Sequence, residues 1–155
     1  MVDKKEVIFR EATDNDISFV FNLRNNPLVW KGLYTQSREN RPLQWDEHLN
    51  WWKSRHNWKM FVIQADGKDV GVLNFGQLDC WIPQVGLYLH PDEWNKGIGR
   101  QALKLGLDWL KLKKYSACHT TILKDNIRSI KLFKGLGFRR IGEARKGESW
   151  WQTRL

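Results

Sequence analysis

The chain has 155 residues, of which 41% are hydrophobic and 28% charged, and it contains 10 Trp. This length predicts a single domain over residues 1–155, large enough to bury a hydrophobic core. Lys and Arg number 26 and Asp and Glu number 17, which gives a formal net charge of +9. A basic balance of this size favours an anionic ligand, whether a polyphosphate, a nucleic acid or a lipid head group.

The N-terminus and the cysteines argue against several classes of protein. Residues 1–6 lack the apolar stretch of a signal peptide, and no segment approaches the roughly 18 apolar residues of a membrane span. We therefore predict a cytoplasmic protein without a membrane partner. Cys80 and Cys118 show no metal-ligand spacing, so the sequence predicts two free thiols and no metal site.

The first half of the chain alternates between short apolar patterns and polar turns. Thr13 is followed three residues later by Asp16, which is typical of a helix start. Between Leu28 and Pro42 no clear period is present, and no element is predicted there. The predicted elements are a strand over Val7–Arg10, a helix from the Thr13 cap through Arg24, a turn at 25–27, a helix with Trp45, Leu49 and Trp52 on one face, and a hairpin of Met60–Gln64 and Val70–Leu78 turned at 66–68.

The second half contains one long amphipathic helix between strands. Ile98, Ala102, Leu105, Trp109 and Leu112 fall on one helical stripe, which indicates packing against a sheet. The remaining predicted elements are a strand over Val85–Leu89, a strand over Ser116–Leu123, a helix capped by Asp125 or Asn126 and ending near Gly137, and final strands over Phe138–Arg145 and Ser149–Leu155.

A loop with two glycines and two cations precedes that long helix, within His90–Ala102. The first N–H groups of a helix lack intrahelical partners, and the helix dipole puts partial positive charge there. Gly97 and Gly99 let the backbone approach a ligand closely, while Lys96 and Arg100 add formal charge. The pattern predicts a phosphate site; a tight turn that merely needs glycine is the alternative.

The element order βααβββαβαββ, with its glycine-rich loop after the fourth strand, resembles the GCN5-related N-acetyltransferase (GNAT) superfamily. Residues 86–102 look like the family's pantetheine strand and pyrophosphate loop, and residues 125–138 look like its second acetyl-CoA motif. The resemblance implies an α/β (α+β) fold with a mixed, mostly antiparallel sheet of about seven strands flanked by four helices. It also implies that acetyl-CoA is the cosubstrate, held by Leu87, Tyr88, Leu89, Asn95, Lys96, Gly97, Ile98, Gly99, Arg100, Asn126, Ser129 and Phe133.

Two further segments narrow the resemblance. Residues 23–27 followed by 47–51 are similar to acetyltransferases of nucleotide-linked amino sugars, which implies that Arg24, Tyr34, His48 and Trp51 bind the acceptor. For His48 a helix-surface position is the alternative. Trp94 followed by Lys96 and Gly97 is usual in the subgroup that includes ribosomal-protein N-terminal acetyltransferases, so a protein N-terminus is the alternative acceptor.

Three positions depart from the resemblance. Phe133 stands where many members have a tyrosine that protonates the leaving thiolate, and Gln84 and Thr121 stand where related enzymes have glutamates. Phe133 lacks the hydroxyl, and neither Gln84 nor Thr121 can act as a carboxylate base. The remaining candidates for a catalytic proton acceptor, acting through water, are Asp79, His48 and Glu47.

The missing acid and base narrow the kind of amine. An amine with a pKa of ~10.4 costs roughly 4.6 kcal/mol to deprotonate at pH 7, whereas one near ~7.7 costs only about 1 kcal/mol. The sequence therefore favours a low-pKa acceptor, either an amino sugar or a peptide N-terminus. We expect direct attack on the thioester, helped by proximity and by a backbone N–H near Leu89 that stabilises the oxyanion.

Two other classes of protein compete with this interpretation. Residues 97–102 also fit the dinucleotide fingerprint of oxidoreductases, but Ala117–Leu123 lacks the acidic residue expected about 20 positions later. The net charge and the tryptophans could serve a nucleic-acid binder. Most tryptophans occupy apolar periodic positions and the cations are scattered, so nucleic acid is not the expected partner. A homodimer is left open.

Overall fold

The computed structural model describes residues 4–155, and for residues 35 and 38 the backbone alone. Its strands are β1 Val7–Glu11, β2 Lys59–Ala65, β3 Lys68–Gly76, β4 Gln84–Leu89, β5 Ala117–Leu123, β6 Arg139–Glu143 and β7 Glu148–Arg154. Its α-helices are α1 Ile17–Arg24, α2 Pro27–Trp30, α3 Tyr34–Glu39, α4 Trp45–Ser54, α5 Ile98–Leu112 and α6 Ile127–Gly135. No helix within residues 4–155 is long and apolar enough to cross a bilayer.

The seven strands form one mixed sheet in the order β1-β2-β3-β4-β5-β7-β6. Every neighbouring pair is antiparallel except β4 and β5, which run parallel. Those two strands are joined at one register pair, Gln84 with His119, close to where β4 begins. Beyond that pair they separate, so residues 86–89 have no partner strand on the β5 side, although they pair with β3 on the other side.

The core lies on both faces of the sheet. On one face α5 buries Ile98, Ala102 and Leu103 completely, together with Leu73 of β3. On the other face α1 and α4 pack with Val72 in a second cluster. Adjacent residues of a strand point to opposite faces, which is why consecutive apolar residues in β3 serve two separate cores.

The predicted sheet of seven strands is confirmed, with most strand ends displaced by one or two residues. The count of four flanking helices was too low, because the stretch over 28–42 holds the two short helices α2 and α3. Asn26 caps α2 by accepting a hydrogen bond from the N–H of Leu28, and Pro27 takes the first helical position. Helices of four and six residues are too short to produce a readable 3.6-residue period.

The predicted apolar face of α4 was right for Trp52, which is buried, and wrong for Trp45. Trp45 is 42% exposed, whereas the buried residues of this helix are His48 and Trp52. A buried histidine is invisible to a pattern that counts only apolar side chains.

Candidate active site

The loop before α5 has the backbone of an anion site. Asn95 has φ +61° and Gly97 has φ +79°, so the chain turns through left-handed conformations immediately before the first turn of α5. Successive N–H groups in such a turn point into a concavity. Arg100 adds its charge and donates from Nη1 to the carbonyl of Gly135 at 3.3 Å. Lys96 is partly neutralised, since its Nζ lies 3.6 Å from the buried carboxylate of Glu93.

A cavity of about 360 Å³, here called the cofactor cavity, runs from this loop along β4 to α6. Of the residues expected to hold acetyl-CoA, nine line it: Leu87, Tyr88, Leu89, Asn95, Gly97, Gly99, Arg100, Asn126 and Ser129. Three do not. Ile98 is buried in the core, Lys96 is turned towards Glu93, and Phe133 lines a neighbouring cavity.

Several residues of the cofactor cavity were missed from the sequence. Arg128 and Lys131 bring two cations from α6. The Arg128 guanidinium lies 3.1 Å from the centroid of the Trp94 ring, and burial lowers its pKa. Val29 comes from the stretch in which no element was predicted. For Arg128 the sequence held one signal, its position as a cation close to Asn126 in the second motif.

Asn126 stands where α6 begins and where the cavities meet. Its Oδ1 accepts a hydrogen bond from the N–H of Ser129 at 3.3 Å, so it caps the helix. Gly32 passes so close that a Cβ there would lie 2.7 Å from the Asn126 Nδ2. A side chain at this point of the loop between α2 and α3 would displace the Asn126 side chain.

A second cavity of about 350 Å³, the acceptor chamber, lies on the other side of the gap between β4 and β5. Three arginines reach it, Arg24, Arg55 and Arg145, and none of the described residues that line it carries a carboxylate. The chamber and the cofactor cavity share Gly32, Leu33, Leu87, Tyr88, Asn126 and Ser129. The two cavities therefore meet where the parallel strands separate.

His48 does not line the chamber, and the expectation that it meets the acceptor is corrected. Its side chain is fully buried, and its Nε2 lies 3.0 Å from the carbonyl oxygen of Ile17. Because a carbonyl only accepts, Nε2 carries the proton and Nδ1 accepts from Arg24 Nη1 at 3.3 Å. Burial lowers the pKa of His48, with Arg24 as a smaller cause, so the ring is neutral and positions Arg24.

The other two candidate proton acceptors also lie away from the chamber. Glu47 is exposed and binds Arg41 at 2.7 Å, and that hydrogen bond holds the pKa of its carboxyl below the usual value. Asp79 is exposed in the loop between β3 and β4 and contacts Cys80. Neither residue is among those that line the chamber. Gln84, Thr121 and Phe133, the three departures from the family pattern, do line the chamber.

Tyr34 lies at the outer wall rather than inside. It lines a third cavity of about 680 Å³ between α3 and the β6–β7 turn. The Arg145 guanidinium lies 3.6 Å from the centroid of its ring, and Arg145 itself lines the chamber. Tyr34 therefore contacts a side chain that lines the chamber, although Tyr34 itself lines the third cavity.

Trp51 and Tyr88 complete the inner wall. The Arg24 guanidinium lies 4.2 Å from the centroid of the Trp51 ring, and both residues line the chamber. Tyr88 lines both cavities. Burial raises its pKa, although Arg24 and Arg55 oppose the shift, so its phenol stays protonated at neutral pH.

The family model of the acetyltransferase (GNAT) domain matches residues 6–139. The chain therefore belongs to the GNAT acetyltransferase family. It is 37% identical over 158 residues to the uncharacterized protein MJ1062 of Methanocaldococcus jannaschii, covering 99% of this chain and 32% of that protein. The chain thus spans about a third of the length of this relative. It is 27% identical over 133 residues to acetyltransferase PseH of Campylobacter jejuni, covering 81% of this chain and 78% of PseH.

Solved structures have the same fold. A domain from Methanocaldococcus jannaschii superposes with a TM-score of 0.92 at 38% identity, covering 97% of this chain and 99% of that one. The spermidine N-acetyltransferase of Vibrio cholerae, in complex with CoA and spermine, superposes with a TM-score of 0.81 at 14% identity, covering 96% and 95%. The second likeness concerns the fold alone.

Proposed function

We propose that this chain is an acetyl-CoA-dependent N-acetyltransferase that acts by direct transfer on the primary amine of a small or nucleotide-linked amino sugar. The observation that carries the proposal is the meeting of the cofactor cavity and the acceptor chamber at the gap between β4 and β5. Two ligands bound there would face each other across Leu87 and Tyr88.

The residues of the cofactor cavity fit acetyl-CoA. The left-handed turn at Asn95 and Gly97, with Arg100 beside it, suits a pyrophosphate. On the side that faces β5, the backbone of residues 86–89 has no partner strand. Its amide groups there can bind a pantetheine arm, which would take the place of a neighbouring strand. When bound, this cosubstrate supplies an acetyl group activated as a thioester.

The chamber favours an amine that is neutral before it reacts. Its three arginines disfavour a second positive charge, so they lower the pKa of an amine that enters. This effect supplies part of the deprotonation that a carboxylate base would otherwise provide. The Tyr88 phenol, Gln84 and Thr121 are polar groups of the chamber that can hydrogen-bond a water molecule, and this water takes the proton of the amine.

Three observations support an amino sugar as the acceptor. The similarity to acetyltransferase PseH covers most of the chain. The segments around Arg24 and Trp51 resemble enzymes that act on nucleotide-linked amino sugars, and both residues line the chamber. The basic lining also suits an acceptor that carries negative charge.

A thiol-release assay tests the function. The enzyme is mixed with acetyl-CoA and with either a nucleotide-linked amino sugar or a peptide with a free N-terminus, and free coenzyme A is measured. Release with the sugars and not with the peptide is the expected result. Release with the peptide alone would replace the amino sugar by a protein N-terminus, and release with neither, by an enzyme that binds acetyl-CoA, would contradict the proposed class of acceptor.

A further inference from the structure

Two arginines share one tryptophan in the acceptor chamber. The Arg24 guanidinium lies 4.2 Å and the Arg55 guanidinium 4.3 Å from the centroid of the Trp51 ring. Arg55 also lies 4.7 Å from the centroid of Trp58. Arg24 ends α1 and Arg55 directly follows α4, so two distant segments bring like charges to one aromatic surface.

These two cations have no countercharge. Within residues 4–155, neither guanidinium has a carboxylate at ion-pair distance, and the one hydrogen bond found for either goes from Arg24 to His48. Burial lowers the pKa of both, and Arg24 lowers that of Arg55 further as a like charge. Aromatic faces offset only part of the cost of burying a cation.

Arg41 shows what an arginine of this protein does when its role is structural. It lies in the segment before α4, and it binds two carboxylates, those of Glu39 and Glu47. Arg55 and Arg24 instead line a cavity that has no carboxylate among its described lining residues. Donors arranged in this way match an anion that arrives with the ligand.

We propose that Arg55 and Arg24 form an anion clamp over Trp51 that binds a phosphate or carboxylate group of the acceptor and excludes polycationic amines. This inference rests on the proposed function and adds to it the charge that the acceptor must carry. In a nucleotide-linked amino sugar the clamped group is the diphosphate. Arg55 is then a specificity-determining residue, and His48 positions its partner Arg24.

Binding of simple probes tests the clamp. Uridine diphosphate, succinate and spermine are titrated by calorimetry into the full chain. Saturating coenzyme A is present, because the cofactor cavity is itself an anion site and must be filled before the probes can report on the chamber. The variant is Arg55→Gln, and the matched control is Lys53→Gln, which removes one exposed positive charge of α4. We expect uridine diphosphate or succinate to bind at least about tenfold more weakly to Arg55→Gln, and Lys53→Gln to bind like the wild type.

The probes identify the anion. Uridine diphosphate binding without succinate binding assigns a phosphate, and the reverse assigns a carboxylate. Measurable spermine binding, no binding of either anion, or equal losses in the two variants would overturn the clamp. If Arg55→Gln does not fold, Arg55→Lys takes its place in the test. The lysine keeps the charge and loses the planar stacking, so this variant should bind the anion with intermediate affinity.

Acetyl transfer separates this inference from the proposed function. If Arg55→Gln acetylates a nucleotide-linked amino sugar with the wild-type KM, the clamp is wrong and the function stands. If anion binding depends on Arg55 but no amino sugar is acetylated, the clamp stands and the function is wrong.

Discussion

The two cavities of this protein are built in different ways. The cofactor cavity includes two backbone features, the left-handed turn at residues 95–97 and the edge of β4 that faces β5. The acceptor chamber is made from side chains such as Arg24, Trp51 and Arg55, which come from separate segments. A backbone site depends on a contiguous loop, whereas a side-chain site depends on helix packing and can change its ligand by substitution.

The largest effect should come from closing the backbone site. In Gly99→Val the Cβ would sit 3.4 Å from Leu132 and 3.5 Å from Leu89, an ordinary contact that the fold tolerates. The two added methyl groups enter the cofactor cavity and block close approach of a pyrophosphate. We expect acetyl-CoA affinity, measured by calorimetry, to fall at least about 100-fold.

The control for this variant is Gly142→Val in β6, where an added Cβ meets nothing within 4 Å. It should bind acetyl-CoA as the wild type does. Wild-type affinity in a folded Gly99→Val protein would show that the anion site lies elsewhere.

In the acceptor chamber, His48→Ala should raise the KM for the acceptor. Loss of the imidazole releases Arg24 and leaves the Ile17 carbonyl without its partner. We expect the acceptor KM to rise about tenfold and the free energy of unfolding to fall by about 1–3 kcal/mol. Acetyl-CoA affinity should stay nearly constant.

Glu47→Ala, next to His48 but exposed, is the control and should leave the acceptor KM unchanged. If His48→Ala weakened acetyl-CoA binding instead, the two cavities would not be independent.

Phe133→Tyr tests whether departure of the thiolate limits the rate. Phe133 lines the chamber but is only 3% exposed and packs edge-on against Phe138 at 5.0 Å. If the added hydroxyl reaches the leaving thiolate, kcat should rise, by less than the roughly 10²-fold of an established general acid. An unchanged kcat in a stable variant would mean that thiolate departure does not limit the rate. A lower kcat with lower stability would make Phe133 a core residue.

The smallest expected effect is on stability against pH. Burial lowers the pKa of His48 and of His119 below the value in the unfolded chain, which is about 6.5. The unfolded state therefore binds protons more readily, and the stability due to these rings is complete above that pH and is lost as the pH falls through their native values. Urea unfolding should show this loss in the wild type and a smaller one in His48→Gln. A free energy of unfolding that is constant between about pH 7 and 5 would contradict the shifts.

The sequence predicted what depends on local pattern. The capping box at Thr13, the seven strands and the glycine-containing turn before α5 all follow from short-range rules, and the structure has each of them. It missed α2 and α3, which are too short to show a period. It also assigned His48 to the acceptor, because spacing on a helix does not reveal which side chain a neighbouring carbonyl will hold. Arg55 belonged to no motif and appears only through packing.

The single pair between Gln84 and His119 divides the sheet into β1–β4 and β5–β7. Within each part the neighbouring strands are joined by several register pairs. Opening between them breaks few hydrogen bonds. In hydrogen exchange the amides facing the gap should therefore lose protection long before those of β2 and β3. We also expect a long, narrow ligand to enter and leave through this gap without unfolding either part of the sheet.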